Sequence, residues 1–526
     1  MRDALGRRAC GLLAGRREFI KAGAALSLLS GVGDVGAAPP PPTPLAPIGA
    51  DRLDQGPFGI EQDEGWYTVA TTTPSSAPVR NFGTGLVGYT WEENGPALAV
   101  RRGEARLEAA VEALAALPFV DVLYIRCDWR DVQSRPGRLD LAPVWAVTLD
   151  AARRHGLRVA FRIQLSNPEI QPDTLALPDF LQAKVPLVPL RRRAARPGPK
   201  RVEPRYDDPE FQRAFRELVE LLAAETDGKE IFEFGDLMMY GFWGEGHTSD
   251  WASPFPDRAT AERTFVDMTR RQMAAWTRLP LAVNTQPDIS DTGNAAVLEE
   301  AIRGGCWLRS DSIILDEPIQ IEQLSGRPPW LAVVMEDGYH RHYRTDEPRF
   351  AVDAAGVSVI EHAIRHCLDL GANYWSLWTE AENLARYHER HPAGFTALQQ
   401  RMGYRVRPSW VWQRKREGGT ELVVAFANDG VAGVPGTLHV VAETPDGIAR
   451  AGGSLDQGHP YGGKLRQASF RVPRALEGGT VRLRAEIVTK GMRRPVRWAC
   501  AQPVEADGSL AVRLLAADDP KWRKGI

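Results

Sequence analysis

The sequence has few cysteines, almost no net charge and no long apolar run beyond its N-terminus. Its 526 residues include 5 Cys, and 65 Lys+Arg oppose 67 Asp+Glu, so the formal net charge is −2. The near-neutral charge gives no sign of a nucleic-acid-binding surface. No later segment offers the roughly 20 apolar residues of a membrane span, and a hydrophobic fraction of 43% excludes a disordered or collagen-like chain. We expect a globular protein with a large core, no nucleic-acid partner and no stable membrane insertion.

No cysteine spacing and no glycine-rich motif indicates a metal or cofactor. Cys127, Cys306, Cys367 and Cys500 are far apart in the chain, unlike the ligands of a zinc or iron–sulfur site. The first three lie in apolar segments, which is typical of buried free thiols. There is also no phosphate-binding glycine loop and no haem-attachment pair. The sequence therefore predicts no metal and no other cofactor.

The first 37 residues have the features of an export signal. A paired arginine in Arg16–Lys21 precedes an apolar stretch over 22–32, and small residues follow before a run of prolines. This order predicts a twin-arginine signal, with an amphipathic N-terminal helix as the alternative. Removal of residues 1–37 deletes six basic and three acidic residues, which moves the net charge from −2 to −5. We expect the twin-arginine translocase as a partner and a periplasmic or secreted location.

Short apolar runs alternate with amphipathic helical stretches after a Pro-rich linker and extension (38–81). This alternation over 82–405 predicts an α/β domain, a (β/α)8 TIM barrel, rather than a dinucleotide-binding sheet, which needs a glycine fingerprint. From 406 to 526 the pattern changes to short alternating segments with frequent turn residues, which predicts a small all-β sandwich. The predicted barrel strands are 85–90, 120–126, 157–164, 231–241, 281–284, 306–310, 331–336 and 372–378.

Active sites of such barrels lie at the carboxyl ends of the strands. Two carboxylates, Glu245 after strand 4 and Glu336 at the end of strand 7, would face each other across the mouth, and we expect Phe242 and Trp243 to raise the pKa of one of them. A pair of carboxyl groups is what glycosidic-bond hydrolysis needs. The remaining candidates, all for substrate binding, are Arg126, Asp128, Trp129, Gln164, Trp243, His247, Asn284, Gln286, Arg309, Asp311, Tyr339, Trp378 and Glu380.

Tryptophan is abundant, with 15 residues against 11 Tyr. Several Trp follow predicted strand ends, where an indole can stack on the apolar face of a sugar, although core packing is the alternative for each. A basic stretch over 191–201 follows strand 3. It could attract an anionic glycan, or it could be a solvated loop.

The segments 128–140, 206–209 and 241–247 (GFWGEGH) resemble the clan A β/α-barrel glycoside hydrolases, and in particular a poorly characterised bacterial family related to β-galactosidases. The resemblance covers about residues 82–401 and implies a retaining mechanism, with Glu245 as acid/base and Glu336 as nucleophile. It also implies that Trp375 and Trp378 form the floor of the sugar subsite. Arg126, Asn284, Arg309 and Asp311 would orient sugar hydroxyls.

One departure from that family concerns the residue before the acid/base. The clan usually has Asn there, whereas this chain has Gly244, so Asn284 or Gln286 would have to supply the amide. The alternative is a non-catalytic carbohydrate-binding protein on a degenerate barrel. A carboxyl separation far beyond about 10 Å, or either Glu held in a buried pair with Arg, favours that alternative.

Overall fold

The structure, a computed structural model, describes residues 56–58, 65–91, 100, 103, 105–171, 173–192, 200–248, 251–286, 294–310, 313, 318–337 and 354–523. The predicted export signal and most of the Pro-rich linker lie outside these residues. The helices and strands below all belong to one compact unit.

The strands are, in chain order, β1 (Trp66–Thr71), β2 (Gly85–Trp91), β3 (Val122–Asp128), β4 (Arg158–Gln164), β5 (Leu187–Leu190), β6 (Arg201–Pro204), β7 (Phe232–Asp236), β8 (Leu281–Asn284), β9 (Trp307–Ser310), β10 (Val333–Glu336), β11 (Tyr374–Leu377), β12 (Val406–Arg416), β13 (Gly419–Asn428), β14 (Thr437–Glu443), β15 (Arg450–Ser454), β16 (Leu465–Pro473), β17 (Thr480–Thr489), β18 (Met492–Val496) and β19 (Leu510–Arg513). The helices are α1 (Leu107–Ala115), α2 (Pro143–His155), α3 (Asp179–Gln182), α4 (Pro209–Thr226), α5 (Arg258–Ala275), α6 (Asn294–Arg303), α7 (Pro318–Ser325), α8 (Val359–Asp369), α9 (Ala381–Arg390) and α10 (Pro392–Arg401).

A closed barrel of parallel strands forms the larger part of the unit. Its strand order is β2-β3-β4-β7-β8-β9-β10-β11, and β11 pairs with β2 to complete the circle. Each pair is parallel because a helix or long connection returns the chain to the same end. The predicted fold class, a (β/α)8 barrel followed by β structure, is confirmed.

Local sequence explains where the barrel helices begin and end. Asp208 caps α4 by accepting bonds from the N–H groups of Glu210 and Phe211, and Pro209 takes the first helical position, where its missing N–H costs nothing. Ser358 and Glu361 form a capping box at the start of α8. The helices therefore begin where the chain supplies side-chain acceptors for their unpaired N–H groups.

The barrel interior is built in layers because alternate strand residues point inward. The lower layer is apolar and aromatic, and includes Val122, Tyr124, Phe234, Trp307 and Tyr374. Two residues further along the same strands the inward side chains become polar, as at Arg126, Asp236, Arg309 and Ser376. The charged groups are thus gathered at the carboxyl end, above a packed aromatic floor.

Two antiparallel sheets follow the barrel. One has the order β1-β12-β13-β16, and the other has the order β15-β14-β17-β18 with β19 paired to β17. Residues of both sheets, such as Leu422, Phe426, Val440 and Leu483, share one apolar core. Strand β1 lies within the segment for which the sequence indicated only a linker and extension, and it pairs with β12 from Trp66↔Arg414 onward.

The sheets and the barrel are joined at the amino ends of the barrel strands. The buried Arg494 of β18 donates to the backbone oxygens of Glu230 (2.7 Å) and Phe232 (3.0 Å), and its guanidinium lies 5.2 Å from the Phe82 ring centroid. Lys490 donates to the carbonyls of Trp276 and Leu279 beyond the end of α5. This end of the barrel is therefore covered by protein.

Cys127, Cys306 and Cys367 are buried thiols outside any disulfide, as predicted, and so is Cys500. Among the described residues, no helix combines the length and the apolar character that crossing a membrane requires.

The role of Arg494 can be tested by truncation. R494A removes the donor to two carbonyls, of which that of Phe232 is buried, so we expect the free energy of unfolding to fall by about 2–3 kcal/mol, measured by urea denaturation. The neighbouring Arg493 is exposed and pairs with Glu486 at 3.0 Å, so R493A should cost less than about 1 kcal/mol. Equal losses in the two variants would contradict the assigned role.

Candidate active site at the carboxyl end of the barrel

Six charged side chains meet inside the carboxyl end of the barrel. Arg126, Arg162, Asp236, Arg309 and Glu336 are carried by β3, β4, β7, β9 and β10, and Glu245 lies in the loop after β7. Each of these side chains is at most 5% exposed. Charges this far from water must be paired to be tolerated.

The pairs form a closed ring of alternating charge. Glu245 Oε1 accepts from Arg126 (3.2 Å) and from Arg162 (2.9 Å). Glu336 Oε1 accepts from Arg126 (3.3 Å) and lies 3.0 Å from Arg309 Nη2. Asp236 Oδ2 closes the ring, since it lies 3.0 Å from Arg162 Nη2 and 3.3 Å from Arg309 Nη1. Three guanidinium groups are thereby balanced by three carboxylates.

Two buried phenols brace this ring from below. Tyr124 donates to Asp236 Oδ2 at 2.6 Å, and Tyr89 donates to Glu336 Oε1 at 2.7 Å. Tyr89 in turn accepts from Arg309 and from Ser376. Burial raises the pKa of both tyrosines, so they stay neutral donors.

Glu245 is placed by a tight loop over 241–247. Gly241 is required because a Cβ there would lie 2.0 Å from the carbonyl oxygen of His247. Trp243 adopts φ 56°, a left-handed conformation that is unusual for a bulky residue and is found where surrounding structure enforces it. The backbone of Trp243 donates to Ser166 and accepts from Arg162. The loop is therefore anchored to β4 and its extension.

The expectation that an apolar surround raises the pKa of one glutamate is wrong for Glu245. Burial does raise its pKa, but Arg126, His247 and Arg162 together outweigh burial and lower the pKa to about 2. His247 Nε2 lies 3.4 Å from Glu245 Oε2. Glu245 is thus an anion near neutral pH, because Arg126 and Arg162 lie beside it. The sequence did not predict these contacts.

Within the described part of the chain, Glu336 has its contacts on one carboxylate oxygen only. Its Oε1 accepts hydrogen bonds from Tyr89 and Arg126 and lies 3.0 Å from Arg309 Nη2. Its buried Oε2 has no hydrogen-bond partner among the described residues. A carboxylate oxygen that attacks an anomeric carbon must have an available lone pair. Oε2 meets that requirement.

The geometric criterion for catalysis gives a divided result. One guanidinium, that of Arg126, contacts both carboxylates, so their separation falls within the range of about 10 Å or less that catalysis allows. Both carboxylates nevertheless lie in buried pairs with Arg, which is the arrangement that favours binding without hydrolysis.

Several other predicted residues join the same site. Gln164, with its amide oriented to suit both neighbours, accepts from Arg126 Nε (2.6 Å) and donates to Asp128 Oδ1 (2.9 Å). Asn284 donates to the backbone oxygen of Glu245 at 3.1 Å, and its side-chain oxygen accepts from the N–H of Gln286. The residue before Glu245 is Gly244, which has no side-chain amide. The amide of Asn284 on β8 instead contacts the backbone oxygen of Glu245.

The predicted aromatic residues divide into two groups. Trp129 and Trp375 are fully buried in the core between the barrel strands and the surrounding helices. There Trp129 donates to Gln133, and Trp375, on β11, packs near Phe395 of α10. They are core residues and offer no stacking face. Trp243 and Trp378 are half-buried, and Trp378 packs on the interior cluster of the barrel.

The remaining predictions are distributed around this end or fall outside the described residues. Glu380 is half-buried at the start of α9. Asp311 and Tyr339 lie outside the described residues. So does 193–199 of the basic stretch. Of its described flanks, Arg192 pairs with Trp251, and Arg201 lies on β6 opposite Leu190.

Asp236, Tyr89 and Tyr124 were missed by the sequence analysis. Asp236 lies in a stretch, 231–241, that resembles one long apolar strand, whereas β7 ends at Asp236. The two-residue alternation of barrel strands was the available signal, since Asp236 shares the inward face with Phe234.

A further buried carboxylate, Glu203, supports the 241–247 loop from outside the ring. It accepts from Ser166 and from Tyr206 (2.5 Å), and the Tyr206 hydroxyl accepts from the N–H of Gly241 at 2.9 Å. Burial raises the pKa of Glu203 to about 7.

Within the described part of the chain, no group of three or more His, Cys, Asp or Glu is arranged to hold a metal ion.

No protein-family model and no curated protein matches the sequence. Solved structures that align with it include the catalytic domain of β-amylase from Paenibacillus polymyxa (TM-score 0.37, 12% identity, 59% of this chain and 94% of that chain). Endo-glycoceramidase II from Rhodococcus sp., as its lactosyl-enzyme intermediate, aligns with TM-score 0.36 and 11% identity over 85% of this chain and 100% of its own. β-Mannanase from the blue mussel Mytilus edulis aligns with TM-score 0.35 and 9% identity, over 63% and 96%. At these values the likeness concerns the fold alone, and the barrel is established here by its strand pairing.

The raised pKa of Glu203 predicts a pH-dependent stability. Between its ordinary pKa of 4.5 and about 7, the folded state holds a proton that the unfolded state releases, so the free energy of unfolding falls as pH rises through this window. E203Q cannot titrate, so its stability relative to wild type should increase from pH 5 to pH 8 in urea denaturation.

Glu210 provides the control for this measurement. Its pKa is lowered by a hydrogen bond from Arg213, so it is ionised throughout this range and E210Q should differ from wild type by a constant amount from pH 5 to pH 8. Parallel curves for E203Q and wild type would show that Glu203 is ionised in the folded protein.

Proposed function

We propose that this chain is a glycoside hydrolase with a retaining mechanism, acting on an oligo- or polysaccharide at the carboxyl end of its barrel. The observation that carries the proposal is the pair Glu245 and Glu336, which approach from opposite sides of the barrel and share the Arg126 guanidinium. Retaining hydrolysis needs two carboxyl groups close together on either side of an anomeric carbon.

Glu336 is the nucleophile in this proposal. Its Oε2 forms a bond to the anomeric carbon while the bond from that carbon to the leaving oxygen breaks, and the leaving oxygen takes a proton from Glu245. Glu245 then takes a proton from water, whose oxygen bonds to the anomeric carbon as the bond to Glu336 breaks. The contacts of Glu336 with Arg126 and Arg309 lie on Oε1, which leaves Oε2 as the attacking oxygen.

The acid step places a condition on Glu245. With a pKa of about 2 in the free protein, Glu245 must gain a proton when substrate enters and separates it from Arg126. Substrates whose leaving group needs no proton avoid this condition. The proposal therefore includes a strong preference for activated leaving groups near neutral pH, with activity on alkyl glycosides rising toward low pH.

A second candidate function is carbohydrate binding without hydrolysis. It is favoured by the position of Arg126, which pairs with both carboxylates and keeps Glu245 ionised. The half-buried Trp243 and Trp378 would supply stacking surfaces in either case.

Export through the twin-arginine translocase to the periplasm or beyond is part of the proposal and rests on residues 1–37. Membership of the poorly characterised family related to β-galactosidases is also part of the proposal, and it rests on the segments 128–140, 206–209 and 241–247. An anionic glycan is a candidate substrate because of the basic stretch over 191–201.

The decisive experiment is a screen of 4-nitrophenyl glycosides and oligosaccharides with wild type, E245Q and E336Q. We expect E336Q to abolish turnover of every substrate, because no carboxylate remains to attack. E245Q should lower kcat/KM for unactivated oligosaccharides by at least about 100-fold, but retain much of kcat/KM for 4-nitrophenyl glycosides, whose leaving group needs no proton. Its kcat should fall on every substrate, because Glu245 no longer takes the proton from water. Wild-type turnover in both variants would refute the mechanism.

E233Q is the matched control for stability. Glu233 is also buried on β7 and paired with an arginine (Arg158, 2.7 Å) and a tyrosine hydroxyl (Tyr374, 2.5 Å), but at the opposite end of the barrel. E233Q should lower stability and leave turnover unchanged. If wild type cleaves nothing but binds oligosaccharides in calorimetry, the second candidate function replaces the first.

A further inference from the structure

We infer that Asp236 is a positioning residue that holds both carboxylates of the site in place through two arginines. Its kinetic consequence rests on the proposed function, whereas its consequence for stability does not. Asp236 ends β7 inside the barrel, beneath Glu245 and Glu336, and the mechanism above gives it no chemical step.

The contacts of Asp236 converge on one oxygen. Its Oδ2 accepts from Tyr124 (2.6 Å) and from Arg162 Nε (3.1 Å), and it lies 3.3 Å from Arg309 Nη1. Multiple charge-assisted contacts to a buried carboxylate fix the orientation of each donor. Asp236 therefore fixes the Arg162 guanidinium through a hydrogen bond. It holds Arg309 by opposite charge at 3.3 Å, since Arg309 Nη1 has no hydrogen-bond partner among the described residues.

Each guanidinium uses another nitrogen to hold one carboxylate of the pair. Arg162 Nη1 donates to Glu245 Oε1 at 2.9 Å, and Arg309 Nη2 lies 3.0 Å from Glu336 Oε1. One side chain thus acts on both carboxylates, from the corner of the ring that is opposite Arg126.

Charge balance strengthens the argument. With Asp236 present, three cations face three anions, all of them buried. Without its charge, three guanidinium groups share two carboxylates, and a buried, uncompensated charge forces rearrangement. Displacement of a catalytic group by about 1 Å can reduce turnover about 100-fold.

The kinetic test compares D236N with E233Q on the 4-nitrophenyl glycoside that wild type cleaves fastest. We expect D236N to lower kcat about 100-fold with KM within about threefold, because the attacking geometry changes more than sugar binding. E233Q should leave kcat and KM within about threefold of wild type at a comparable loss of Tm. Wild-type kcat in D236N, or an equal loss in E233Q, would overturn the inference.

The second test needs no activity. In thermal unfolding of D236N, R126Q and the double variant, the double variant should lose less Tm than the two single losses added, because removal of one anion and one cation restores the balance. In the E233Q/R126Q double variant, the loss of Tm should equal the sum of the two single losses. Additive losses for the Asp236 pair would overturn the inference, even if wild type cleaves no glycoside and the proposed function fails.

A variant that does not fold still gives an answer. If D236N alone is unfolded, recovery of a cooperative transition in the D236N/R126Q double variant supports the inference. Failure of the double variant to fold, with R126Q alone folded, counts against it.

Discussion

The closed ring of buried charges at the carboxyl end of the barrel is the arrangement on which the site depends. Transfer of six charged groups out of water is costly, and the cost is offset only when every group has partners of opposite sign at close range. Arg126 and Arg162 are direct register partners on β3 and β4, where like charges repel. Glu245, which contacts both, makes that placement tolerable.

The rest of the molecule supports the ring from one side. Below it, the apolar layer that includes Tyr124, Phe234 and Trp307 fills the barrel, and the phenols of Tyr89 and Tyr124 extend upward as hydrogen-bond donors. At the amino ends of the strands, Arg494 and Lys490 connect the β sheets to the barrel backbone. With that end covered and the interior filled, the carboxyl end is the place left for a ligand, as in barrel enzymes generally.

The ring also explains why the two glutamates are unequal. Glu336 has its cations and Tyr89 on one oxygen and leaves the other without a partner among the described residues. Glu245 has guanidinium groups on one oxygen and His247 near the other, and it is strongly acidic as a result. The same cations therefore favour the role proposed for Glu336 as nucleophile and oppose the role proposed for Glu245 as acid. Hydrolysis of activated substrates and binding without hydrolysis are for this reason the two functions to separate.

Much of the fold was determined by the sequence alone. Seven of the eight barrel strands were predicted to within two residues at each end, and β7 was predicted to end five residues too late. Most boundaries were predictable because apolar runs, helical periodicity and capping residues are local properties of the chain. The pairing of Glu245 with Glu336 also followed, because strand ends in a barrel meet at one end. The strand β1 was not predicted, since its partner β12 is more than 300 residues away. The ionisation of Glu245 and the role of Asp236 were decided only by the tertiary structure. Glu245 contacts Arg126 and Arg162, and Asp236 contacts Arg162 and Arg309. These arginines come from three separate strands, so the distances between them are set by the closed barrel and not by any local stretch of sequence.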